Sequence, residues 1–173
     1  MASTSGSEPD LLGIYLNDHL AGATGGVALA RRAAGAHQGS PTGAALRRLA
    51  AEIAEDRAAL LDMMAALGLP VRHYKSYAAW AAEKVGRLKL NGQIRGRSPL
   101  SSVVELEALR LVVESTAAGW RTLRDLATQD RRLDAERLDG LLARTNQQAN
   151  TLEELRVGMA GEVFGSAERA SRS

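Results

Sequence analysis

Leucine, isoleucine, valine, methionine and alanine recur every three to four residues along most of this chain, so each long stretch gathers its apolar side chains on one helical stripe. That spacing predicts five helices, over about 9–36, 42–67, 74–94, 99–127 and 134–163. The first stripe runs Leu12, Leu16, His19, Ala23, Val27, Ala30 and Ala34, and the second Leu46, Leu49, Ile53, Leu60, Met64 and Leu67, with Asp56 and Arg57 on its shoulders. Tyr74, Tyr77, Ala78, Ala81, Val85 and Leu88 form the third. The fourth is Leu106, Leu109, Val113, Ala117, Trp120 and Leu123. It is also apolar behind, through Val104, Leu111, Val112 and Ala118, which predicts the most buried helix and a rear face for self-association. The fifth carries Leu138, Leu141, Leu142, Thr145, Ala149, Leu152, Met159 and Val163. Strand signals are almost absent, with no alternating β-branched run.

Local punctuation agrees with these bounds. Ser40-Pro41 and Ser98-Pro99 each place a capping hydroxyl before a proline whose missing N–H is harmless at a first helical position. Gly68 followed by Pro70 reads as a stop, and Asp134 as the cap of the last helix. The small polar tails before residue 9 and after residue 163 are expected to be disordered. Short connections make the first two helices one antiparallel hairpin and the last two another. A connection of about 30 residues with its own helix lies between them. The fold expected is therefore all-α: a four-helix bundle of two hairpins with an extra helix in a long crossover. A sequential up-and-down five-helix bundle is the alternative.

Composition narrows the class. The 173 residues are 45% hydrophobic, enough for one domain with a sizeable core. Cysteine is absent, which removes disulfides, thiolate metal sites and thiol nucleophiles. No run of some 20 apolar residues and no leader pattern occurs, so a cytoplasmic location is expected. Arginine far outnumbers lysine beside abundant Ala and Gly, which fits a GC-rich bacterial coding sequence.

Catalytic signatures are missing: no nucleophile elbow, phosphate-binding loop, dinucleotide fingerprint or His-Glu-x-x-His. What stands out is an ionisable ring, His19, on an apolar stripe. With this helix layout, the chain over about residues 9–163 resembles the ferritin-like superfamily. Its di-iron sites take a Glu from one helix of each hairpin and a Glu-x-x-His from the other, all facing the bundle axis. The resemblance puts His19 at the first glutamate position. On the second helix the pair falls nearest Ile53 and Asp56, since Glu52 and Glu55 have the spacing but point off the stripe. Glu107 of the Glu105–Arg110 stretch matches the second glutamate, and Thr145 and Gln148 take the last pair. It thus implies a degenerate site of His19, Asp56 and Glu107, with iron or manganese as the metal. The residues read on their own imply no cofactor and a His19 hydrogen-bonded to Asp56, Gln148 or a buried water. His37 and His73 read as solvated loop residues.

Charge singles out one more region. Residues 71–98 hold Arg72, Lys75, Lys84, Arg87, Lys89, Arg95 and Arg97 against one acid, Glu83, and include every lysine of the chain. Trp80 shares a flank with Lys84 and Arg87. Trp80, Lys84, Arg87, Lys89, Arg95 and Arg97 are therefore the candidate surface for an anionic partner, such as phosphate, nucleic acid, anionic lipid or an acidic protein. The bland alternative is that these charges face acidic neighbours within a homo-oligomer. The function expected is a non-catalytic structural or interaction module that self-associates. The rivals are a metal-binding oxidase or iron-handling protein using His19, and an anion or nucleic-acid binder using residues 71–98.

Overall fold

The computed structural model describes residues 10–72 and 99–170. They form four helices, α1 (Leu11–Ala36), α2 (Pro41–Ala66), α3 (Pro99–Leu126) and α4 (Ala135–Ala170). The helix expected over 74–94 lies outside the described residues.

The boundaries follow from side-chain caps. Asp10 accepts the Gly13 N–H at 2.9 Å and opens α1. Ser40 accepts from Gly43 N at 3.1 Å and donates to the His37 carbonyl at 2.8 Å, which joins the end of α1 to the start of α2. Gly68, at φ +72°, lets the chain turn left-handed after α2, and Leu69 N–H bonds back to the Met64 carbonyl at 2.9 Å. Asp134 Oδ1 accepts from Glu136 N and Arg137 N and opens α4. That helix continues to Ala170, past the expected end near 163. No proline stops it, and Ala-Glu-Arg-Ala is a good helix-forming sequence.

Helix directions are fixed by cross-links. His37 at the end of α1 meets Ser102 at the start of α3, and Tyr15 near the start of α1 meets Thr122 near the end of α3, so these two run antiparallel. Asp62 near the end of α2 pairs with Arg137 near the start of α4, which makes that pair antiparallel too. With both hairpins antiparallel, α2 and α3 run parallel. The end of α2 and the start of α3 therefore lie at opposite ends of the bundle.

Two apolar clusters fill the interior. Near the α1–α2 turn lie Ala30, Ala33, Ala34, Leu46, Leu49, Ile53, Leu106, Leu109 and Leu152, and near the α3–α4 turn Leu16, Leu20, Leu60, Met63, Met64, Trp120, Leu123 and Leu138. The rear of α3 is less apolar than its sequence suggested. Leu111 is 71% exposed and Ala118 is exposed, but Val104 and Val112 are half-buried, and Glu107, Glu114 and Arg121 share that surface.

Candidate functional site

Between the two apolar clusters the stripes of α1, α2 and α4 switch to polar residues at one level: His19, Asp56, Thr145 and Gln148. Asp56 was expected on a shoulder of α2, but it is only 3% exposed. A buried carboxylate is costly unless its charge is compensated and its oxygens accept hydrogen bonds. Both conditions are met from α4. Arg144 Nε donates to Asp56 Oδ1 at 3.0 Å, Arg144 Nη2 donates to the same oxygen, and Gln148 Nε2 donates to Oδ2 at 2.8 Å. One α4 turn apart, Arg144 and Gln148 close on the carboxylate together. Arg144 also donates through Nη1 to Glu55 Oε2 at 3.0 Å, while Thr145 Oγ1 donates to the Leu141 carbonyl at 2.7 Å.

On the other side of this level His19 packs edge-on against Tyr15, with ring centroids 4.4 Å apart. The Tyr15 hydroxyl reaches Thr122 Oγ1 at 3.1 Å. His19 is half-buried, and burial pushes its pKa below the usual imidazole value, with the neighbouring Asp18 carboxylate working the other way. A small cavity of about 10 Å³ is lined by His19, Ala23, Asp56, Leu60, Thr116, Gly119 and Trp120. Trp120 is 1% exposed, and its indole Nε1 has no hydrogen-bond partner among the described residues.

The sequence-predicted residues separate here. His19 and Asp56 meet at one cavity. Glu107 does not join them: its side chain is 51% exposed and lies 3.9 Å from Arg156. It precedes the cavity-lining Thr116 by nine residues, about 13 Å along a helix. The buried glutamate of that stretch is Glu105, which accepts from Arg32 Nη2 at 2.8 Å near the α1–α2 turn. Among the described residues no group of three or more His, Asp or Glu side chains is placed to hold a metal ion. His37, expected to be solvated, is half-buried and bonded to Ser102 at 3.2 Å. Trp80, Lys84, Arg87, Lys89, Arg95 and Arg97 lie outside the described residues.

Two further polar features were missed. Arg144 gives no sequence signal, because nothing local shows that an arginine of α4 faces an acid 88 residues earlier. Asn17 does give one, as an amide between the apolar Leu16 and Leu20. It is buried, and its Nδ2 donates to the Gly13 and Pro70 carbonyls at 2.7 and 3.0 Å while its Oδ1 accepts from Arg72 N at 2.7 Å. That side chain holds the segment leaving α2 against α1.

The surface adds two grooves. One of about 470 Å³ lies between α2 and α4 and is bridged by ion pairs, Arg137 with Asp62 and Arg144 with Glu55. Another of about 490 Å³ lies between α1 and α2, with Arg31, Gln38 and Arg47 over a floor of Ala34, Ala50 and Ala51. No helix of the described residues is long and apolar enough to cross a membrane. No family model, curated protein or solved structure matches the chain. A carboxylate whose oxygens already accept from a guanidinium and an amide has little left to offer a metal ion. The imidazole beside it favours its neutral form.

Proposed function

We propose that this chain is a non-catalytic four-helix bundle of ferritin-like arrangement that acts as a structural or interaction module. The observation that carries the reading is the engagement of Asp56 by Arg144 and Gln148. At the level where the ferritin-like arrangement would gather metal-ligating carboxylates, this chain supplies one carboxylate and neutralises it with its own guanidinium. A bridging metal would have to displace Arg144, leaving that cation to compete for the same oxygens. The likeness to the ferritin-like arrangement is one of helix direction and connection length: two antiparallel hairpins with α2 and α3 parallel.

The proposed module self-associates through its surface helices, where Leu111 on α3 and Val157 and Phe164 on α4 are exposed. Val157 and Phe164 are seven residues apart and so share one helical face. Sedimentation of the wild type beside Phe164→Lys tests this. A lower mass for the variant is expected, and a monomeric wild type would refute self-association.

The functional reading is tested by elemental analysis of untagged protein, followed by iron(II) addition in air. The expected result is well under one iron, manganese or zinc per chain and no oxidation-linked absorbance. Two metals per chain would overturn it.

A further inference from the structure

We propose that the cavity between His19, Asp56, Thr116 and Trp120 is a binding site for a single water molecule that joins all four helices into one polar node. The space is the first argument. About 10 Å³ is close to the minimum that holds one water and too small for an organic ligand. The second argument is the Trp120 indole, whose buried N–H has no acceptor among the described residues. Buried polar groups are normally paired, so the cavity bordered by this side chain is the natural place for its partner. The third is the character of the lining. Beside the apolar Ala23, Leu60 and Gly119, the polar lining holds an indole, whose N–H can only donate and so disfavours a bare cation, and the Asp56 carboxylate, which disfavours an anion. His19, mostly neutral at pH 7, offers one ring nitrogen as an acceptor. The occupant must therefore be neutral, accept from an indole and donate to a carboxylate or imidazole. Water does all three.

The node would then run from the indole of α3 through the water to His19 of α1 and Asp56 of α2, and on through Gln148 and Arg144 of α4. The last step is already made at 2.8 and 3.0 Å. The proposal deepens the metal-free reading of this level, and the experiment keeps the two apart.

The test is nuclear magnetic resonance on chelator-washed full-length protein, with the two indole signals distinguished by a Trp80→Phe variant. The Trp120 Nε1–H should show a cross-peak to a water of long residence time. That peak should vanish in Ala23→Val, whose larger side chain takes up the cavity, while the helical circular dichroism is retained. Manganese(II) is then added to the wild type as a paramagnetic probe, and the Trp120 indole should stay sharp. No water cross-peak with a sharp indole overturns the water site and leaves the metal-free reading standing. Manganese broadening confined to the Trp120 indole overturns both. A cross-peak that survives in a folded Ala23→Val protein overturns the location.

Discussion

The two halves of the bundle are packed by different means. Around the α1–α2 turn the α1 face is built from small residues, Gly26, Ala30, Ala33 and Ala34, while around the α3–α4 turn the interior is filled by Leu, Met and Trp. In the first half neighbouring side chains close directly on the α1 backbone. A methyl placed on Gly26 would stand 2.6 Å from Val112 Cγ1, well inside van der Waals contact. In the second half the helices are held by side-chain volume. The polar level of Asp56, Gln148 and His19 falls where one regime gives way to the other. The difference suggests a division of labour: apolar residues set stability in both halves, and the directional bonds at the junction set how the helices are aligned.

The largest expected effect breaks that junction. Arg144→Met removes the counter-charge and leaves the Asp56 carboxylate buried, a change that typically costs 3–5 kcal/mol. Arg144 is 32% exposed, so solvent already screens the pair and about 2–4 kcal/mol is expected, read as a lower urea midpoint. Adding Asp56→Leu should recover most of the loss, because an apolar pair has no charge to bury. A double variant as unstable as the single one would show that the carboxylate is not the cause.

A smaller effect separates close backbone approach from plain helix propensity. Gly26→Ala should destabilise by about 1–2 kcal/mol, since the new methyl forces Val112 aside despite the roughly 1 kcal/mol gained in propensity. Gly22→Ala, four residues earlier on the same helix, meets nothing within 4 Å. It should raise stability by about 0.5–1 kcal/mol. Thermal melts with shifts of opposite sign support the comparison, and two stabilising changes would remove the tight half from it.

How much of this was legible in the sequence depends on how local the signal was. Ser40-Pro41, Gly68 and Asp134 mark boundaries because each acts on its own turn of chain, and the helix starts and stops near them agree to within a residue or so. The far end of α4 was missed because the small polar residues after 163 read as a tail, although Ala-Glu-Arg-Ala within them carries good helix propensity. Asp56 is harder. Its stripe position put it on a shoulder, and only the distant Arg144 and Gln148 make burial tolerable. Glu107 was chosen over Glu105 by comparison with a family pattern, whereas burial here follows Arg32 on α1. Side chains that need a partner from another helix are where periodicity stops informing.

The smallest expected effect concerns His19 and sharpens the junction from its other side. Burial lowers the folded pKa of this imidazole, so through the window below its ordinary value the unfolded chain binds the proton more readily than the folded one. Stability should therefore be level above about pH 6.5 and decline as pH falls from there through the lowered folded value. The groups around the ring fix the sign. Asp18 on its own helix and Asp56 across the cavity favour the charged form, but Arg144 neutralises Asp56, and α3 presents the uncharged Thr116, Gly119 and Trp120. Most carboxylates titrate nearer pH 4, so urea midpoints between about pH 5 and 7 report on the three histidines, and comparison with His19→Leu separates the share of His19 from that of His37 and His73. In His19→Leu that slope should be lost or much reduced. The stability itself should change little, because roughly 1–2 kcal/mol of added apolar burial is set against a polar partner lost at the cavity. A slope that persists unchanged in His19→Leu would assign it to another group and detach His19 from the junction.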